Sequence, residues 1–219
     1  MSLLDELNTS VMEGDRDKVE ELTRQALDQG VEVKTILSDG LIAAMDVVGQ
    51  RFESGEMFIP EMIVAGEAMT RGLNILRPLF KESGIKPQGT VVIGTVQGDM
   101  HAIGKSLASM MMEGAGFRVI DLGVNVSPEQ FVKSVKEEDA QLVGMSALLT
   151  TTMPAMKATI EALKEAGLLD KVKTLIGGAP VTQEYADKIG ADGYAPEAAT
   201  GVQKVKELLQ ALRQVDKTI

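Results

Sequence analysis

The chain has one histidine, His101, in the run Gln97-Gly98-Asp99-Met100-His101-Ala102-Ile103-Gly104. A neutral imidazole nitrogen is a good ligand for a transition metal. The other ring nitrogen then needs a hydrogen-bond partner that fixes tautomer and basicity, and Asp99, two residues away, can supply it. Gly104 lets a bulky group pass close to the backbone. The same six residues would also suit a loop histidine hydrogen-bonded for local order. With no cysteine in the chain, thiolate metal sites, disulfides and a zinc site of the His/Cys kind are excluded.

The surrounding pattern decides where this loop sits. Thr90–Val96 reads as a buried strand and a helix begins near Ile103 or Gly104. His101 is therefore expected on a strand-to-helix loop at the carboxyl end of the first parallel strand, where open α/β sheets bind ligands. Strands are expected at 90–96, 117–122, 141–147, 172–176 and 192–195. Helices alternate with them at about 103–115, 128–138, 153–167 and 182–189, and a last one runs from about 197 to 215. This is an α/β domain with a five-stranded parallel sheet covered on both faces, Rossmann-like or flavodoxin-like. Gly94, Gly98 and Gly104 are spaced too widely for a dinucleotide turn and suggest room for something large.

Residues 1–84 read as a four-helix bundle. Leu3, Leu4, Leu7 and Val11 share the face of the first helix. Gly14-Asp15 breaks it, with Asp15 as N-cap of a second helix built on Val19, Leu22, Ala26 and Leu27 and ended by Gly30. The stripe Ile36, Leu37, Leu41, Ala44, Val47, Val48 predicts a third helix over 33–52. A fourth begins near Pro60, with Ile63, Met69, Leu73, Leu76 and Phe80 inward, and stops at Lys81-Glu82-Ser83-Gly84. Residues 85–89, with Pro87 and Gly89, form a linker and a hinge, and 90–219 the α/β domain.

Three stretches, each just after an expected strand, carry a family resemblance. Asp99-x-His101-x-x-Gly104, then Ser146-x-Leu148 with Thr150 downstream, then Gly177-Gly178, resemble the cobalamin-binding signature of corrinoid proteins and of the cobalamin domain of methionine synthase. The resemblance implies a cobalamin or related corrinoid whose cobalt is held by His101, with Asp99 behind the imidazole and Met100, Ile103 and Gly104 beside the macrocycle. It implies that the nucleotide tail runs past Ser146, Leu148 and Thr150 to Gly177 and Gly178. Ala147, Thr151 and Ala179 are small or hydroxylated along that path, and Gly123 and Val124 are further wall candidates. Thr152 stands where the family often has a serine that extends the Asp–His hydrogen-bond chain. The threonines at 150–152 also read as a polar helix start.

Gly55-Glu56-Met57-Phe58-Ile59-Pro60-Glu61 resembles the segment where the corrinoid-protein bundle meets the upper face of the cofactor. Met57, Phe58 and Met62 are its cap candidates; a hydrophobic staple at the helix start is the plain alternative. The resemblance covers nearly the whole chain and matches the small corrinoid proteins of methylamine, methanol, betaine and aryl methyl ether systems. It implies a methyl carrier, itself without catalytic residues. One partner would be a substrate-specific methyltransferase, another a second methyltransferase with an acceptor such as tetrahydrofolate or a thiol, and a third a reductive activator. In it, Asp99 would take or share a proton when the imidazole leaves cobalt.

A net charge of −10 without a Lys/Arg cluster argues against nucleic acid and anionic membrane as partners. The N-terminal residues lack a signal core, so a cytoplasmic protein is expected. The acidity also speaks against a DNA-binding cobalamin sensor, as does the lack of tryptophan, which such light sensors usually place over the upper ligand. The bundle speaks against the small subunit of an adenosylcobalamin mutase. A flavodoxin-like module without corrinoid is the third rival.

Overall fold

A computed structural model describes residues 2–80, 83 and 86–216. The expected helix stop at 81–84 and the first linker residue, Ile85, lie outside the described residues, Ser83 excepted. The chain divides into two compact units. One comprises Met1–Pro87 with Met110–Gly116, the other Gln88–Ser109 with Phe117–Ile219.

In the first unit, α1 (Leu3–Glu13) and α2 (Arg16–Asp28) form a hairpin across Gly14. Asp15 caps α2 by accepting the Lys18 amide at 3.0 Å, so the expected helix start is where capping chemistry places it. The stretch expected as one α-helix over 33–52 is helical but not uniformly so. Short α3 (Val33–Thr35) runs into a π-helical segment, Ile36–Ile42, and then into α4 (Ala43–Glu53). Helix α1 packs closely on this segment: a Cβ on Gly40 would stand 2.7 Å from the Leu7 side chain. The Asn8 side-chain amide reaches the Asp39 and Gly40 carbonyls at 3.4 and 3.5 Å. An inserted side chain of this kind is a usual origin of local winding changes.

Helix α5 (Ile59–Leu76) follows, with Pro60 in its first turn and the Glu61 carboxylate accepting the Phe58 amide at 2.8 Å. Its buried stripe is Met62, Ala65, Met69, Leu73 and Leu76. Ile63 and Phe80, expected inward, are only half-buried. Methionine does much of the packing: Gly49, Gly66 and Gly114 lie against Met111, Met110 and Met45. Unbranched thioethers fill such irregular gaps where aromatic rings are scarce.

The second unit is a parallel sheet of β1 (Thr90–Thr95), β2 (Arg118–Asp121), β3 (Leu142–Ser146), β4 (Lys173–Gly177) and β5 (Gly193–Ala195). Their order is β2-β1-β3-β4-β5, which decides between the two expected topologies in favour of the flavodoxin-like one. Helices α6 (Ile103–Gly114), α7 (Pro128–Glu138), α8 (Pro154–Glu165), α9 (Gln183–Ile189) and α10 (Ala198–Asp216) connect or follow the strands. Strand β1 is buried throughout, as a β-branched run covered on both faces requires, whereas edge strand β2 is partly exposed. Phe131, Val92, Val143, Met156, Leu163 and Ile176 are among the core residues.

Strand order reverses at β1, whose neighbours are β2 and β3. The loops leaving the carboxyl ends of β1 and β3 therefore flank the crevice where such sheets bind ligands. Parallel register aligns Thr95, Ser146, Gly177 and Ala195 in one row across that end of the sheet.

Candidate functional site

The β1 loop begins at Val96 and ends as α6 starts at Ile103. Gly98 turns it at φ +84°, a left-handed conformation that glycine takes freely. Asp99 is wholly buried and accepts four hydrogen bonds. Its Oδ1 takes the His101 ring Nδ1–H at 2.7 Å and the His101 amide at 3.0 Å. Its Oδ2 takes the Leu148 amide at 2.8 Å and the Thr152 hydroxyl at 2.7 Å. The Leu149 carbonyl is 2.9 Å from the same hydroxyl, but the charged acceptor is the stronger.

Burial by itself would raise the Asp99 carboxyl. The Leu148 amide, the Thr152 hydroxyl and the two His101 donors outweigh it and hold the group far below the usual carboxylate range. Asp99 is thus an ionised acceptor, and an acceptor fixes the imidazole with its hydrogen on Nδ1. Nε2 is left with a free lone pair, on a side chain half-exposed at 50%. Four donors stabilise the charged form of Asp99.

An apolar collar surrounds the histidine loop. Met100 and Ile103 are 67% and 70% exposed, and Leu148 and Leu149 on the β3 loop are 42% and 44% exposed. The Leu148 amide joins the two loops through Asp99. Leu149 and Thr95 are additions to the expected residues. Thr95 is buried and its hydroxyl donates to the His101 carbonyl at 2.8 Å. In sequence it passes for one more β-branched core residue, whereas two adjacent leucines after a strand are a visible signal.

The threonines do not cap α8, which starts at Pro154 without a side-chain cap. Thr152 turns to Asp99, while Thr150 and Thr151 are exposed. Ser146 is half-buried and stands opposite Gly177 in the β3–β4 register. Gly178, at φ +124°, touches the β3 loop so closely that a Cβ would lie 1.9 Å from the Ala147 carbonyl oxygen. Gly123 and Val124 end the stretch after β2 and are half-buried.

The glycines of the β1 region separate into three roles, not one. A Cβ on Gly94 would strike Phe131 at 2.9 Å and Val126 at 3.0 Å, so Gly94 is a packing residue and leaves no room for a ligand. Gly98 serves the turn. Only at Gly104 would a Cβ meet nothing within 4 Å. In the other unit Met57 and Met62 are buried, and of the three cap candidates only Phe58 is largely exposed.

After the loop, Lys105 is buried and ion-paired with Asp121 at the end of β2. Asp121 also accepts the Gly123 amide at 2.8 Å. The start of α6, just after the histidine, is therefore tied to the end of β2.

Among the described residues no group of three or more His, Asp or Glu side chains is arranged to hold a metal ion. One imidazole on a ring of exposed apolar side chains suits a metal that brings its other ligands with it. The fold and site thus define a protein with one imidazole, held by a buried carboxylate and accompanied by exposed apolar side chains, at the switch point of a flavodoxin-like sheet. Residues 89–203 match the B12 binding domain family and residues 3–77 match a second B12 binding domain family, and the chain belongs to the corrinoid proteins. It is 43% identical to a corrinoid protein of Desulfitobacterium hafniense over 95% of this chain and 98% of the relative. With the dimethylamine corrinoid protein of Methanosarcina barkeri it shares 46% identity over 94% and 97%. Among solved structures it resembles the methanol:cobalamin methyltransferase complex of Methanosarcina barkeri, with 29% identity, a TM-score of 0.85 and 95% and 80% of the chains covered. The cofactor of the family is a cobalamin-type corrinoid.

Proposed function

We propose that this chain carries a methyl group on a corrinoid, receiving it through a substrate-specific methyltransferase and delivering it through a second methyltransferase to tetrahydrofolate or a thiol. The observation that carries this reading is the imidazole held by a buried, ionised Asp99 within an exposed apolar collar. When bound, the corrinoid supplies a cobalt centre able to accept a methyl group from one partner and release it to another. The chain's own residues do the rest. His101 Nε2 would be the nitrogen that holds the metal. Asp99 and Thr152 hold that nitrogen in the ligating tautomer. Met100, Ile103, Leu148 and Leu149, all exposed, would pack against the corrinoid and keep water from it. Ser146, Thr150, Gly177 and Gly178 would hold the nucleotide tail. Phe58 is the exposed candidate in the bundle for shielding the cofactor, beside the buried Met57 and Met62 of the same segment.

Methylamines come first among donors to be tested, since dimethylamine and trimethylamine corrinoid proteins share 43–52% identity with this chain. Methanol follows from the structural likeness. A reductive activator and a place in the cytoplasm complete the proposal. Among the described residues no helix is long and apolar enough to cross a membrane.

The decisive assay loads the reduced protein with corrinoid and supplies methyltransferases with a panel of methylamines, methanol, betaines and aryl ethers. Donor-dependent methylation of an added thiol or tetrahydrofolate is the expected result. Tight corrinoid binding with no transfer from any donor would overturn the carrier reading. His101→Ala should keep part of the corrinoid, because the tail path still binds, while its absorption spectrum loses nitrogen coordination. An unchanged spectrum would mean that another group is the ligand.

Gly104→Val separates space from stability. The open surroundings of Gly104 predict a change in unfolding free energy below about 0.5 kcal/mol, as at other uncrowded positions. Corrinoid affinity should fall roughly tenfold or more, about 1.4 kcal/mol, if the macrocycle passes over this backbone. Titration calorimetry beside urea denaturation reads both quantities.

A further inference from the structure

Asn125 lies in the loop between β2 and α7, outside every motif considered above. It is one of two described non-glycine residues with positive φ, at +54°. Asparagine tolerates that conformation better than most side chains. Its side-chain Oδ1 accepts the Gly98 amide at 2.8 Å, and its own amide donates to the Asp99 carbonyl at 2.9 Å. One residue thereby grips the histidine loop at two consecutive residues, Gly98 and Asp99, the second of which holds the imidazole through its carboxylate. Next to it, Val126 bridges Val96 in a short parallel pairing. The grip thus anchors the first half of the loop, as Lys105 and Asp121 anchor the second.

We infer that Asn125 is a positioning residue for His101, setting the loop register in which Nε2 reaches the metal. This rests on the assignment of His101 as the axial ligand. Without the Oδ1 acceptor the Gly98 amide turns to solvent and the loop samples further conformers. Ligation then occurs only from the fraction that keeps the imidazole in place.

Asn125→Gly removes the acceptor and keeps the left-handed backbone without strain. Asn125→Asp keeps an acceptor oxygen at the same reach. Asn125→Ser, with a shorter arm, serves if the glycine variant does not fold. Two readouts follow the loop itself. In the corrinoid-free chain the single histidine makes ring-nitrogen NMR unambiguous, and the hydrogen-bonded Nδ1–H should give one protected proton signal. In the loaded chain the absorption spectrum reports the nitrogen-coordinated fraction.

Asn125→Gly is expected to broaden or lose the Nδ1–H signal and to lower the coordinated-to-uncoordinated ratio by roughly two- to tenfold, the effect of one net hydrogen bond. Asn125→Asp should restore both. Wild-type signal and ratio in the folded Asn125→Gly or Asn125→Ser variant would overturn the proposal, as would failure of Asn125→Asp to restore them. His101→Ala, run in parallel, separates the two readings: if it leaves the spectrum unchanged, the ligand assignment itself fails.

Discussion

An Asp99→Ala variant is expected to lose roughly 3–5 kcal/mol of stability, and its imidazole should no longer be fixed. The substitution strands the Leu148 amide and the buried Thr152 hydroxyl, each at about 1–3 kcal/mol, and removes two charge-assisted bonds to His101. Its effect spreads across both loops, because Asp99 is the residue through which they are joined. Asp99→Asn should cost less, since it keeps the shape and one acceptor oxygen. It allows the wrong tautomer, however: an amide NH₂ facing Nδ1 puts the imidazole hydrogen on Nε2, where a metal would have to bind. Urea midpoints should order the three proteins as parent, Asn, Ala. Ring-nitrogen NMR of the single histidine should show a mixed tautomer in Asp99→Asn.

The pH dependence of that difference has a definite sign. Asp99 is held below its ordinary value in the folded chain. Its contribution is therefore fully present above the unfolded carboxylate pKa of about 3.9, and disappears as pH falls through the lower folded value. The stability gap between parent and Asp99→Asn should be flat from neutral pH down to about 4 and shrink in stronger acid. A gap that shrinks already near pH 6 would assign the effect to some other group.

Gly178→Ala is the second large effect. At φ +124° an L side chain is strained, and its Cβ would lie 1.9 Å from the Ala147 carbonyl oxygen and 2.9 Å from its carbon. Both are backbone atoms, so no rotamer change relieves the clash. Backbone strain and overpacking together predict a loss of about 4 kcal/mol. The relief available is to part the ends of β3 and β4, which breaks the bond from the Ala147 amide to the Gly177 carbonyl at 3.2 Å. Faster amide exchange at Ala147 would register that parting. Gly190→Ala is the control: its φ is +74°, but nothing lies within 4 Å of the added methyl. Only left-handed strain remains there, about 1–2 kcal/mol. Equal losses in the two variants would show that strain alone, not the β3–β4 contact, makes Gly178 necessary.

The chain by itself determined the alternation of strands and helices from Thr90 onward, the cap at Asp15 and the placement of His101 after β1. Each depends on neighbours a few residues apart, through side-chain periodicity and local capping. It also held the motif residues through which corrinoid proteins are recognised. Tertiary structure decided what those residues do to one another. Thr152 and Leu148 reach Asp99 across 53 and 49 residues because β1 and β3 are adjacent in the sheet. Asn125 grips the histidine loop because β2 lies on the other side of β1. Gly94 is identical in type to Gly104, yet one faces Phe131 and the other open space. The π-helical segment Ile36–Ile42 packs against Leu7 and meets the Asn8 side chain across 31 and 32 residues of sequence. Local chemistry writes the elements, but strand order and packing depend on burial summed over the whole unit, which no short window of sequence contains.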